Sequence, residues 1–189
     1  MDVGIPVKDD QELLNLILGG DEEAFTTLYR RRHIAVYRFA LQMTGSADIS
    51  EDVTQEVFMT LVEQANRFDP ARGSLPSFLY GIARNMILRR LEKDGPRQPE
   101  NETEEVAAAD DLFDDLTRRE TIEWVRRAVL SLPAAYREAV VLCDLQDVSY
   151  HDAALALDCP VGTVRSRLNR GRSMLAHKLG RVATAVRSS

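Results

Sequence analysis

The chain has 189 residues, a formal net charge of −6, and 44% hydrophobic, 29% charged and only 6% aromatic residues. That length suits one domain or two small ones, and the composition is that of an ordinary globular protein. The acidity excludes nucleic-acid binding by bulk charge alone.

No apolar run approaches membrane-spanning length, so no membrane insertion is expected. Met1-Asp2-Val3-Gly4-Ile5-Pro6 lacks the basic-then-apolar order of a signal peptide, and a cytoplasmic protein is expected. Cys143 and Cys159 are far from any CxxC spacing, and His33, His151 and His177 are scattered. Neither a metal site, a disulfide framework nor a cofactor is indicated. The chain has no nucleophile–base pair or phosphate-cradling loop, so no enzymatic activity is expected.

Strand-like alternation is absent, which predicts an all-α fold. Asp9-Asp10-Gln11-Glu12 opens a first helix with the apolar side Leu13, Leu14, Ile17 and Leu18, and Gly19-Gly20 closes it. Asp21-Glu22-Glu23 opens a second, with Phe25, Leu28, Tyr29, Val36, Phe39 and Met43 at helical spacing and Thr44-Gly45-Ser46 at its end. A third runs from about Ile49 to Ala65, with Val53, Val57, Phe58, Leu61 and Val62 inward. Its Asp52, Gln55, Glu56 and Met59 share a different face.

Asp69-Pro70 and Arg72-Gly73-Ser74 read as a loop. A fourth helix follows, Pro76 to about Lys93, with Ile82, Met86 and Leu79 inward. Phe78, Asn85 and Arg89 share one of its sides, and Arg84, Arg89, Arg90 and Lys93 make it basic. Gly95-Pro96-Arg97-Gln98-Pro99 ends the first bundle. From Asp94 to Thr117 nine acids face Arg97 alone, so this stretch reads as a flexible or weakly helical linker. Periodicity returns at Ile122, Val125 and Val129. Pro133 starts another helix, whose buried side is Tyr136, Ala139, Val140 and Cys143.

Ser149-Tyr150-His151-Asp152 fits a capping box before a short helix, Ala153 to Leu157, and Asp158-Cys159-Pro160 breaks the chain. In the next helix Val164, Leu168 and Leu175 lie on one side, and Arg165, Ser166, Asn169 and Arg170 on another. Arg and Asn read guanine and adenine edges bidentately in a major groove. Short helix, tight turn and cationic second helix describe a helix-turn-helix. The bland reading is an αα-hairpin with a solvated face. Arginine at this density without an intervening acid argues against it.

These stretches together resemble the extracytoplasmic-function group of bacterial RNA polymerase sigma factors, over about Asp21 to Leu179. Asp52-Val53-Thr54-Gln55-Glu56-Val57-Phe58 is similar to that family's core-polymerase-binding helix. Phe78-Leu79-Tyr80-Gly81-Ile82-Ala83-Arg84-Asn85 resembles its promoter-melting helix, with Phe78 where the family often has Trp. Leu132-Pro133 through Arg137, Ser149-Tyr150 and Pro160 through Leu168 resemble its region-four domain.

The resemblance implies a region-two domain at 1–95, an acidic linker at 96–117 and a region-four domain at 118–189. It implies a sigma factor that binds core RNA polymerase and promoter DNA, as duplex and melted strand, with an anti-sigma factor as a further partner and a stress or envelope-response regulon. Asp52, Gln55 and Glu56 would dock on polymerase. Phe78, Arg84, Asn85 and Arg89 would meet the minus-ten element. Arg165, Ser166, Asn169 and Arg170 would read the minus-thirty-five element, with Arg167 and Arg172 on its backbone. Two other readings stay open: a polymerase-independent helix-turn-helix regulator, and a decoy that binds an inhibitor of sigma factors.

Overall fold

A computed structural model describes residues 8–94 and 112–186. Among them all regular structure is helical: α1 (Asp10–Leu18), α2 (Glu22–Thr44), α3 (Ala47–Gln64), α4 (Leu75–Asp94), α5 (Leu112–Leu130), α6 (Ala134–Val140), α7 (Tyr150–Ala156) and α8 (Val161–Val186). The fold is all-α, and α1 to α4 and α5 to α8 form two helical bundles. Residues 95–111, which hold most of the acidic stretch, lie outside the described residues, and α5 begins within it at Leu112.

Local chemistry sets the helix starts. The Asp9 carboxylate accepts from the Glu12 amide at 2.8 Å, and the Glu12 carboxylate accepts from the Asp9 amide at 3.0 Å, a reciprocal capping box. Asp21 caps α2 by accepting from the Ala24 amide at 2.9 Å, and Ser46 caps α3 through the Ile49 amide. Gly45 ends α2 at φ 74°, a left-handed conformation that suits glycine, and its amide donates to the Leu41 carbonyl at 2.8 Å. A Cβ there would also stand 2.8 Å from Leu130 Cδ1 of α5, so the position serves packing as well.

The first bundle closes on Leu13, Leu28, Phe39, Met43, Val53, Val57, Phe58, Leu61, Leu79 and Ile87, all buried. Each side chain of this size contributes roughly 1.5–3 kcal/mol by leaving water. The spacing on α3 puts Val53, Val57 and Leu61 one above another.

Several expected core positions fall elsewhere. Leu18 is 53% exposed and Val62 48%, although both lie within the apolar pattern of their helices. The inward row of α4 is Leu79, Ala83 and Ile87, while Ile82 and Met86 are only half-buried. On α5, Val129 is buried but Ile122 is 60% exposed. Pro133 is the cap of α6 rather than its first residue, and α7 starts at Tyr150, three residues before Ala153, because Ser149 accepts from the Asp152 amide.

In the second bundle α6 passes into a π turn at Val141–Leu145, closed by the Gln146 amide on the Val141 carbonyl at 3.0 Å. Leu132, Ala139, Val140 and Leu168 pack together under α8. The bundles are not held apart. Val129, Val141, Leu142, Ala153 and Val164 join the same apolar cluster as Phe39 and Leu79.

Candidate nucleic-acid interface

Asp52, Gln55, Glu56 and Met59 are exposed on one side of α3, as their spacing requires. Gln55 also borders a hollow of about 330 Å³ between α2 and α3, lined by Tyr29, His33, Ile34 and Tyr37 among others. Tyr29 and His33 stack with centroids 4.8 Å apart. Glu56 is tied down, since its Oε1 accepts from Arg90 Nη2 of α4 at 2.6 Å. Asp52 and Gln55 are therefore the freer members of the row.

The loop before α4 folds back beside it. Asp69 accepts from the Ala71 amide at 2.9 Å, and Phe68 packs on Phe78 with centroids 5.7 Å apart. Ser74 caps the helix, its carbonyl and hydroxyl accepting from the Phe78 and Ser77 amides. Loop and helix, with Leu155, Ala156 and Asp158 of the second bundle, line a cleft of about 440 Å³, within the range of small-molecule sites. Phe78, Arg84 and Asn85 line it. Asn85 is exposed, and Arg89 is exposed one turn beyond the cleft. The Lys93 side chain lies outside the described residues.

Two residues that sequence reasoning did not place here belong to this site. Glu138 of α6 accepts from Arg84 Nε at 3.0 Å, and Asp152 of α7 accepts from Ser77 and Ser74 at the start of α4. Asp152 carried a visible signal, but only as the partner of Ser149. Glu138 carried none beyond being an acid beside Ala139 and Val140.

The helix-turn-helix is formed by α7 and α8. Ala153, Ala154, Ala156 and Leu157 of the first helix are buried, and Asp158 turns the chain at φ 48°. Val164 and Leu168 anchor α8 at 0% and 1% exposure. Arg165, Ser166, Asn169 and Arg170 stand exposed on its outer face. The Arg165 guanidinium lies 5.8 Å over the Tyr150 ring, and Arg170 Nη1 donates to the Tyr136 hydroxyl at 3.4 Å. Arg167 is half-buried against Cys159. Arg172 grips Asp144 with two bonds, Nε to Oδ2 at 3.0 Å and Nη2 to Oδ1 at 2.6 Å. Those bonds and the Asp144 charge raise the Arg172 pKa further.

A cleft flanked by an aromatic pair on one bundle and an arginine-bearing helix-turn-helix on the other define a DNA-binding protein of two helical parts. Comparison with known proteins places it more closely. The family model for Sigma-70 region 2 matches residues 28–97, and that for Sigma-70, region 4 matches residues 122–175. The chain is 34% identical over 183 residues to the ECF RNA polymerase sigma factor SigM of Mycobacterium tuberculosis, covering 95% of this chain and 89% of that protein. Its fold is similar to that of CnrH in complex with the cytosolic domain of CnrY, with a TM-score of 0.71 at 24% identity, covering 90% of this chain and 97% of that one. It is also similar to the sigma factor RpoE in complex with the anti-sigma factor NepR from Bartonella quintana, with a TM-score of 0.63 at 25% identity, covering 92% and 98%.

The chain belongs to the ECF group of Sigma-70 RNA polymerase sigma factors. It binds core RNA polymerase and directs promoter-specific transcription initiation. A regulator that works without polymerase would need only the second bundle, and the region 2 match over residues 28–97 speaks against it. No helix among the described residues is long and apolar enough to cross a membrane.

Proposed function

We propose that 1–95 works as the region-two domain, 118–189 as the region-four domain and 96–117 as the acidic connection between them. The Asp52, Gln55 and Glu56 face docks on a helical surface of core polymerase, with charge setting specificity. Phe78, Arg84, Asn85 and Arg89 receive the upstream end of the melted minus-ten element. A base taken from the stack needs hydrogen bonds to its edge, and an amide such as Asn85 can both donate and accept. Arg84 and Arg89 neutralise the strand's phosphates. Arg165, Ser166, Asn169 and Arg170 read the minus-thirty-five duplex, with Arg167 and Arg172 on its backbone.

The observation that carries this reading is the pairing of an open cleft beside Asn85 with an outward Arg165–Ser166–Asn169–Arg170 row on α8. The protein works in the cytoplasm and performs no catalytic step of its own. Its regulon is a stress or envelope response. An anti-sigma factor restrains it, a reading supported by the fold shared with RpoE, which was crystallised with its anti-sigma factor NepR.

Run-off transcription with purified core polymerase on genomic fragments tests the whole reading. Discrete transcripts that need both proteins are expected. Their absence, with core polymerase shown active under another sigma factor, overturns it.

A further inference from the structure

Helix α3 carries Asp48, Glu51, Asp52, Glu56 and Glu63, all exposed, and neither Lys nor Arg. A partner that docks along it meets a uniformly negative helix, so its own matching surface is basic. Of these acids, Glu51 lines the hollow of about 330 Å³ between α2 and α3. That volume is at the small end of ligand sites and accommodates one long side chain.

The two walls of the hollow differ in chemistry. On α2, Tyr29, His33 and Tyr37 recur every fourth residue, so their rings follow one another along one edge of the helix. Tyr29 and His33 stack within 7° of parallel. On α3, Glu51, Thr54 and Gln55 share one turn and supply oxygens. Thr54 Oγ1 donates to the Ser50 carbonyl at 2.6 Å, and its lone pairs remain to accept. His33 Nδ1 lies 2.9 Å from the Tyr29 carbonyl. A carbonyl only accepts, so Nδ1 donates and Nε2 is left as the ring's acceptor. Arg30 and Arg38 are exposed one turn to either side of Ile34, and neither lines the hollow. Arg31 and Arg32 are held by Asp10.

Ring faces on one wall and acceptors on the other fit a planar cation that stacks and donates from its edge, which is a guanidinium. An ammonium, compact and strongly hydrated, would use one wall only. Gln55 belongs both to the hollow and to the exposed Asp52–Gln55–Glu56 row, so the two surfaces are continuous.

We propose that this hollow is a socket for one arginine side chain of core polymerase, its guanidinium lying against the Tyr29–His33–Tyr37 edge and donating to Glu51. This rests on the α3 row being the polymerase-docking face. A stacked, forked arginine fits in one orientation, so the socket sets the register of the docked surface where the α3 charges set only its sign.

The test measures the affinity of the full chain for immobilised core polymerase by surface plasmon resonance. Glu51→Gln keeps the shape and removes the charge, and Tyr37→Leu removes a ring without changing charge. Each should weaken binding about tenfold at an unchanged melting temperature. Together they should weaken it little more than the stronger single variant, because both act on one guest. Should Tyr37→Leu not fold, His33→Gln replaces it. A photoreactive p-benzoylphenylalanine in place of the exposed Ile34 should crosslink to polymerase beside an arginine. Replacing that arginine with lysine should weaken the parent chain about tenfold and the Glu51→Gln chain no further.

Losses that multiply in the double variant overturn the proposal, since charge and packing then act separately. So does a crosslink to a segment without arginine, or a lysine that serves as well. If Asp52→Ala weakens binding and neither hollow variant does, the socket falls and the docking face stands. If none of the three weakens it, the docking reading of α3 falls too.

Discussion

Arg137 of α6 donates to the Met43 carbonyl at the end of α2 and, through its other amino group, to the Leu130 carbonyl at the end of α5 and the Leu132 carbonyl just beyond it. One planar fork thus closes the last turn of α5 and joins the two bundles. Burial pulls the Arg137 pKa down and the Glu138 charge pushes it back. Arg137→Ala should cost about 3 kcal/mol, since it strands buried carbonyls that now have charged donors. Arg137→Lys should recover only part, because an ammonium cannot span the fork. Thermal denaturation by circular dichroism measures both, and a lysine variant as stable as the parent would sink the argument.

Docking on polymerase should depend on Asp52 and Gln55 more cleanly than on Glu56. The double variant Asp52→Ala with Gln55→Ala should weaken core binding and leave the melting temperature in place, because both side chains are exposed. Glu56→Ala should also disturb α4, whose Arg90 it holds at 2.6 Å. A core-polymerase pull-down beside circular dichroism separates the effects. Unchanged core affinity in the double variant returns this row to a solvated face.

Base reading and backbone contact should separate along α8. Arg170→Ala or Asn169→Ala should cost about 1–3 kcal/mol and relax preference at one base pair. Arg172→Ala should weaken all sequences alike and lower the salt slope by about one. Asp144 gives a further check, because it grips Arg172 through two bonds. Asp144→Asn should free the guanidinium and strengthen binding to any duplex. Anisotropy titrations of holoenzyme on cognate and scrambled sites measure this. Equal losses on both for Arg170→Ala would make it a backbone contact.

Promoter melting should depend on the Asn85 amide. Asn85→Ala keeps helix propensity and charge, and Asn85 is exposed, so fold and core binding should survive. Open-complex formation, followed by permanganate reactivity of unpaired thymines, should fall. The loss should shrink on a template with an abasic position at the target, because no base edge is left to read. Equal losses on intact and abasic templates would exclude edge recognition.

Local spacing made much of this protein legible. Asp9 with Glu12, Asp21 and Ser149 announce helix starts, because a cap is a contact across three residues, whereas Ser46, read as the end of one helix, caps the next. The exposed rows on α3 and α8 follow from the 3.6-residue turn alone. Periodicity marks an apolar stripe but not what covers it, which is why Leu18, Val62 and Ile122 lie more open than their pattern implied.

Tertiary structure alone decided the seam between the bundles. Arg84 meets Glu138 across 54 positions and Ser77 meets Asp152 across 75. No spacing rule reaches that far. The sequence made Arg84 a phosphate-binding cation and Asp152 a cap; packing of the second bundle on α4 set Glu138 against the one and Ser77 against the other. The reason is physical: a helix's own face is set by its turn, but which charge stands opposite it is set by how the apolar cores of two bundles close.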